Sequence, residues 1–276
     1  MRVAPRAETA AAIEAVRAAR PLLLERRGAE EWQEKDRLDY ATGTDGAVER
    51  LLIERLRMAF PNYGVLGEET GHHGSRETFW VLDPICGTTN YAIGLPIYNV
   101  NVALVERDQV TAAVVLEPGP TRTASPTRTA GAGQLYWAER GTGAYASCAG
   151  DRDWRRMRVS DTSGVVSVDF GHRTSSGEVD VMLGILSRIL RERLWGVRVM
   201  VSSLVMAYLA DGRLAAHVVD AVNAWDMCAG ALLCEEAGGI VTDFGGRPWN
   251  WTSSQLVCAA SPAIHAKLLE LAATAG

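Results

Sequence analysis

An apolar run that stops on an acid, turns at a proline and reopens as a helix has few places in a fold. Residues Trp80 to Pro96, WVLDPICGTTNYAIGLP, read in this way. Trp80, Val81 and Leu82 form a buried strand, Asp83 stands at its C-terminal end, and Pro84 turns the chain. Gly87, Thr88, Thr89 and Asn90 then start a short helix. Such a strand belongs to the interior of a layered protein, with its acid at the rim where divalent metal and phosphate can be met. The residue just before the glycine, where a second carboxylate would serve such a site, is Cys86.

The rest of the chain supplies the layers. Ala7 to Arg27 carries Ile13, Val16 and Leu23 at helical spacing, with Pro21 as a kink or break. The polar EKDRLDYATGTD follows, and Asp45 heads a second helical pattern whose Val48, Leu51, Leu52, Leu56 and Met58 make an apolar stripe. Tyr63 to Leu66 is a short strand running into Gly67-Glu68-Glu69. NVNVALV and VTAAVVLE read as adjacent strands. PGPTRTASPTRTAGAG, with its near-repeat, reads as an exposed hairpin loop, and the basic run Arg152 to Arg158 as a solvated strand edge. Beyond it strands and helices alternate: VVSVDF, VDVMLGILSRILRER, WGVRVM, SSLVMAYLADG, LAAHVV, WDMCAGALLCEEAGG, IVTDF, LVCAA and a last helix from Pro262. The chain is expected to be one compact domain over 1–276. Its half 1–150 holds the metal and phosphate motifs, and its half 151–276 the substrate side and the Asp226 motif.

Composition narrows the function. With 276 residues and 47% hydrophobic side chains the chain can bury a sizeable core. A net charge of -5 with interspersed signs argues against a nucleic-acid footprint. Five scattered cysteines without a CxxC argue against a disulfide framework or structural zinc, and fit a reducing cytoplasm. No stretch approaches the roughly 18 apolar residues of a membrane span. The expectation is a cytoplasmic protein without membrane or nucleic-acid partners.

Three separated acidic motifs stand out: Gly67-Glu68-Glu69 after a strand, Asp83 at a strand end, and Asp226 at a helix start in NAWDMCAG. Singly each is weak, since an Asp before an apolar helix is a common N-cap and Gly-Glu-Glu can be a plain turn. Together with Gly87-Thr88-Thr89-Asn90 they make one site. A hard cation such as Mg²⁺ wants several carboxylate oxygens, water and substrate phosphate. The amides of Gly87 and Thr88 at a helix start can meet phosphate, and the Thr88 hydroxyl can orient a water.

These motifs resemble the inositol monophosphatase family of Mg²⁺-dependent, lithium-sensitive phosphatases. That family carries Gly-Glu-Glu, then Trp-x-x-Asp-Pro-Ile/Leu-Asp-Gly-Thr-Thr-Asn, then Trp-Asp before a small-residue helix and Gly-Gly. The likeness runs in order from about residue 8 to 270, and Gly-Thr-Thr-Asn resembles the monophosphatases more than the branch acting on phosphoadenosine phosphates. The resemblance implies an α+β, five-layered αβαβα sandwich, a homodimer, and a hydrolase of small phosphorylated metabolites with two or three Mg²⁺ sites. It implies that Glu68, Asp83 and the Ile85 carbonyl hold a first metal, that Asp83 and Asp226 hold a second, and that Asp45 lies near a third. Glu68 and Thr88 would activate the attacking water.

Two departures bear on chemistry. Cys86 stands where the family has a metal-bridging Asp. A thiol is soft, poorly suited to Mg²⁺ and better suited to zinc or copper(I). Losing that carboxylate costs on the order of 10² to 10⁴ in rate. Three readings follow: a slowed phosphatase using Glu68, Asp83 and Asp226; a phosphate pocket kept for binding or altered chemistry; or an inactivated site. A nucleophilic Cys86 lacks any neighbouring signature of a cysteine phosphatase. The second departure concerns substrate. Where family members using inositol carry a Glu seven residues before the Trp-Asp acid, this chain has Val219, with Asp220 displaced by one. Val201 replaces a typical Gly before Ser202-Ser203. Ser203 and Asp220 are the substrate-side candidates, for a sugar, cyclitol or nucleoside monophosphate. His72 and His73 read as surface loop, His172, His217 and His265 as structural, and Cys228, Cys234 and Cys258 as small hydrophobes.

Overall fold

The computed structural model describes residues 3–29, 32–36, 39–119, 133–148, 153–171 and 175–275. Its helices are α1 (Ala7–Arg26), α2 (Gly43–Ala59), α3 (Thr88–Ala92), α4 (Ser176–Arg191), α5 (Leu204–Ala210), α6 (Ala224–Glu236) and α7 (Pro262–Ala273). The first strands are β1 (Trp32–Asp36), β2 (Asp39–Thr42), β3 (Gly64–Gly67), β4 (Gly71–His73), β5 (Thr78–Cys86), β6 (Asn99–Glu106), β7 (Gln109–Glu117) and β8 (Gln134–Glu139). The rest are β9 (Gly143–Cys148), β10 (Arg155–Arg156), β11 (Val165–Phe170), β12 (Gly196–Arg198), β13 (Ala216–Asp220), β14 (Ile240–Thr242) and β15 (Leu256–Ala259).

Strands β3 to β10 form an eight-stranded sheet in the order β10-β9-β8-β7-β6-β5-β3-β4, and β11 to β15 a five-stranded sheet ordered β12-β11-β13-β15-β14. α1 and α2 pack on one face of the larger sheet, α5 and α6 on its other face and against the smaller sheet, and α4 with α7 cover the far side. This is a five-layered αβαβα sandwich. The period of two along β5 shows why the sheet is covered on both faces: Trp80 and Leu82 enter the core under α1 and α2, while Phe79 and Val81 enter the core under α6.

Several local readings change. The stretch read only as polar, EKDRLDYATGTD, contributes residues 34–36 and Asp39–Thr42 to the antiparallel pair β1–β2, with Trp32 opposite Thr42. A two-stranded ribbon does not need the apolar alternation that marks a core strand. α1 runs through Pro21 without a break. His72 and His73 lie in β4 and not in a loop; His72 meets Phe79 edge-on. The TRTAS near-repeat falls in 120–132, between the paired strands β7 and β8, and lies with His172 and Arg152 outside the described residues.

Candidate functional site

Several chain segments converge on one cleft of about 150 Å³, whose lining includes Glu68, Asp83, Cys86, Thr88, Ser203 and Asp226. β3 and β5 run parallel with Gly67 beside Leu82, so Glu68 leaves the sheet next to Asp83 and its amide donates to the Leu82 carbonyl at 3.2 Å. Gly67 has a physical reason to be glycine. A Cβ there would stand 2.5 Å from the carboxylate of the buried Glu49, which accepts from the Glu69 and Thr70 amides at 2.9 Å each.

Asp83 and Cys86 are an odd number of residues apart and in a regular strand would face opposite ways. Between them the pairing with β6 shifts: Asp83 lies opposite Asn101 and Cys86 opposite Asn99. The extra residue lies between them, in a stretch whose Pro84 cannot donate to the ladder, and it brings Cys86 onto the side that Asp83 faces. Gly87 follows at φ 92, with Ile97 O and Val201 O close to where a Cβ would lie, which excludes larger residues at the turn into α3.

Asp226 is the third residue of α6 and not its N-cap; Asn223 is the cap. Asp226 Oδ2 accepts from the Asn223 amide at 2.9 Å, and its Oδ1 lies 4.0 Å from Cys86 Sγ. One oxygen caps the helix and the other faces the cleft. Ligand atoms of Asp83, Cys86 and Asp226 all lie within 4.8 Å of one another.

Asp83 is wholly buried. Its Oδ2 accepts from Asn101 Nδ2 at 3.4 Å, and its Oδ1 has no hydrogen-bond partner among the described residues. Burial, then the charges of Glu68 and Asp226, raise its carboxyl well above the ordinary range. Burial, then Asp83 and Asp226, push the Cys86 thiol up as well, against a Ser203 amide that donates to Sγ at 3.2 Å. The thiol thus lacks the depressed pKa that marks an activated cysteine nucleophile.

Asp45 sits behind this group. Its Oδ2 accepts from the Thr42 amide at 2.8 Å to cap α2, and its Oδ1 accepts from Thr88 Oγ1 at 3.3 Å. The same hydroxyl is 2.9 Å from the Ile85 carbonyl. Thr88 thus ties α2, β5 and α3 together, and Asp45 reaches the cleft through it. Ser203 takes part through its backbone; its Oγ accepts from Asn99 at 3.1 Å and Asn101 at 2.8 Å. Asp220 is not brought to the site. On β13 His217 and Val219 line the cleft, so the alternation turns Asp220 away, where the Ala221 amide donates to it at 2.7 Å and Gln255 at 3.2 Å.

The sequence reading missed the scaffold. Asn99 and Asn101, the two polar positions of NVNVALV, bind each other at 2.7 Å and hold Ser202, Ser203, Asp83 and the Trp225 carbonyl. Alternating polar residues in an otherwise apolar strand were the available signal. Asp169, the penultimate residue of VVSVDF, accepts from the Met200 and Val201 amides at 2.7 and 3.1 Å. It thereby holds Val201 at φ 49, a strained position for a β-branched residue. His217, read as a satisfied structural residue, is 1% exposed with no partner for Nδ1 among the described residues and Asp169 Oδ2 3.8 Å away. His265 is satisfied, 2.8 Å from Thr242 Oγ1.

An αβαβα sandwich in which Glu68 after β3, the buried Asp83 of β5 and Asp226 in the first turn of α6 line one cleft defines an α+β protein with a candidate metal site. Residues 4–276 match the inositol monophosphatase family. The chain is 36% identical over 229 residues to the inositol-1-monophosphatase of Rhizobium meliloti, covering 80% of this chain and 78% of that one. It is 35% identical over 214 residues to Nus factor SuhB of Xylella fastidiosa, covering 77% and 72%. Its fold is similar to the extragenic suppressor protein SuhB of Bartonella henselae at a TM-score of 0.83 and 28% identity, over 97% and 99% of the two chains. The chain belongs to the inositol monophosphatase family.

The family is Mg²⁺-dependent in general. In this chain the orphaned Asp83 oxygen and the carboxylates around it fit a divalent cation as a class. The Cys86 sulfur does not fit a hard cation.

Proposed function

We propose that the protein is a divalent-metal-dependent phosphomonoesterase for a small hydroxylated phosphate ester: a sugar, cyclitol or nucleoside monophosphate. The observation that carries this is Asp83, wholly buried with one oxygen unpartnered among the described residues, beside Glu68 and Asp226 in a cleft that also holds Thr88. Glu68, Asp83, Asp226 and the Ile85 carbonyl would hold the cation, which supplies positive charge for the phosphoryl oxygens. The Gly87 and Thr88 amides orient the phosphate, and Asp45 and Ile85 hold the Thr88 hydroxyl against the attacking water, whose proton Glu68 accepts. Val219 presents methyl groups to the cleft where a carboxylate would bind ring hydroxyls, which favours a substrate other than myo-inositol phosphate. By the same family resemblance the protein is taken to be a cytoplasmic homodimer.

The rival reading is a phosphate-binding homologue without turnover, and Cys86 is the observation in its favour. A panel of sugar, inositol and nucleoside monophosphates assayed with Mg²⁺, Mn²⁺ and Zn²⁺ separates them. Turnover that Glu68→Gln abolishes supports the enzyme. No turnover under any metal, or turnover retained in Glu68→Gln, overturns the proposed function or its metal assignment respectively.

A further inference from the structure

We propose that the Asp83–Cys86–Asp226 cluster binds a thiophilic, zinc-class divalent cation through the Cys86 sulfur in preference to Mg²⁺. The inference rests on the reading of this cluster as a metal site and is independent of whether the protein hydrolyses anything.

The three ligand atoms lie within 4.8 Å of one another, with Cys86 Sγ 4.0 Å from Asp226 Oδ1. Donors around one tetrahedral zinc, at about 2.3 Å for sulfur and 2.0–2.2 Å for oxygen, stand roughly 3.3–3.7 Å apart. Separations of up to 4.8 Å exceed this by up to about 1.5 Å, which the side chains would close on binding.

Acids and a cysteine near one another would not by themselves make a site. The second observation is Asp83 Oδ1, buried on a residue that lines the cleft and without a hydrogen-bond partner among the described residues. A buried carboxylate oxygen left this way costs free energy unless something positive meets it. A third is the Ser203 amide, which donates to Cys86 Sγ at 3.2 Å. Its place is fixed by the Asn99–Asn101–Ser203 hydrogen bonds, so a donor is already aimed at the sulfur before any ion arrives. Outer-shell donors of this kind stabilise a metal-bound thiolate.

The choice of ion follows from the donors. Mg²⁺ demands near-octahedral oxygen coordination and loses water reluctantly. A thiolate with two carboxylates instead matches zinc, cobalt(II) or cadmium, and leaves a position for water or a substrate oxygen. Binding breaks the S–H bond and forms the S–metal bond, and the thiol proton passes to buffer, together with any proton that the metal-free Asp83 carries.

The test titrates metal-stripped protein with Co²⁺. The expected result is a near-ultraviolet sulfur-to-cobalt charge-transfer band that saturates at one equivalent. Zn²⁺ erases it, and Mg²⁺ in large excess leaves it in place. Cys86→Ser, checked for folding by circular dichroism, loses the band and binds Zn²⁺ at least about 100-fold more weakly, beyond the 10- to 100-fold typical of losing an outer-shell partner. Cys86→Asp binds Co²⁺ without the band and yields it to Mg²⁺. A band that survives in Cys86→Ser, Co²⁺ bound without a band in the native protein, or displacement by Mg²⁺ at comparable concentration overturns the inference. A band without turnover on any substrate refutes hydrolysis alone. Turnover with Mg²⁺ and no band refutes the inference alone.

Discussion

Asp83→Asn tests the electrostatics of the site without a substrate. In the metal-free protein the Asp83 carboxylate is wholly buried, with an Asp226 oxygen within 4.8 Å. At an effective dielectric of 20 that separation corresponds to about 3.5 kcal/mol of repulsion between two unit charges. Protonation limits the damage. Taking a carboxyl with an ordinary pKa near 3.9 to its neutral form at pH 7 costs about 4 kcal/mol, which bounds the penalty. Asparagine has the same shape, keeps an oxygen for Asn101 and carries no charge. With a chelator at pH 7, Asp83→Asn is expected to be more stable than the native protein by about 2–4 kcal/mol, or about 5–10 °C in Tm. The pH dependence fixes the sign. Burial and neighbouring acids raise the folded pKa of Asp83, so the folded state holds a proton that the unfolded chain has released. The native protein therefore loses stability relative to the variant as pH rises from about 4 towards the raised folded pKa, and the two converge below pH 4. Added Zn²⁺ offsets the gap by stabilising the native protein alone, by about 2.7 kcal/mol at a hundredfold excess over Kd and about 4.1 kcal/mol at a thousandfold excess, where the order reverses. Differential scanning fluorimetry across pH with chelator and with Zn²⁺ reads all of this. A variant no more stable at pH 7, or a gap as large at pH 4 as at pH 7, would refute the reasoning.

Gly67→Ala drives a methyl to 2.5 Å from the Glu49 carboxylate and is expected to cost about 1–3 kcal/mol of stability; combining it with Glu49→Ala should be less than additive in urea unfolding, and full additivity would disprove the contact. Val201→Gly removes a β-branched residue from φ 49, relieving about 1–2 kcal/mol of strain against about 0.5–1 kcal/mol of glycine entropy. A small net gain in urea unfolding is expected, and a loss would show that Asp169 holds something other than strain. Burial lowers the His217 pKa below its ordinary value although Asp169 opposes the shift. Its stabilising effect is therefore complete above about pH 6.5 and is lost as pH falls below that, by up to about 1.4 kcal/mol per pH unit. His217→Gln should flatten this acid-side decline, and parallel denaturation curves from pH 7 to 5 would exclude it.

The parts of this site written contiguously were readable in the sequence. WVLDPICGTTN announces its strand, acid, turn and helix in order, because each depends on neighbours a few residues away. What depends on pairing was hidden. No local pattern shows that the ladder shifts between Asp83 and Cys86, yet that shift puts the thiol beside the acid. Asn99 and Asn101 were visible as polar interruptions, but their partners lie on β5 and near the start of α5. Asp220 failed on parity: a one-residue displacement on a strand moves a side chain to the other face. Asp226 stands at the expected helix start, but the N-cap weighed for it is Asn223, whose amide donates to Asp226 Oδ2. The β1–β2 ribbon escaped notice because alternating polarity is a signal only where a strand has a core to face.

The placement of Cys86 also has a thermodynamic side. A cleft that gathers Glu68, Asp83 and Asp226 is strained by charge whenever no cation is bound, and the raised Asp83 pKa is one way the protein relieves it. A carboxylate at position 86 would add a further charge about 4 Å from Asp226, worth up to about 4 kcal/mol of repulsion at a dielectric of 20. A thiol adds none until a metal takes its proton. The substitution therefore trades permanent charge for charge that forms only with the ion. That makes the empty fold cheaper to hold and restricts the ions that can complete the site to those able to ionise a buried thiol.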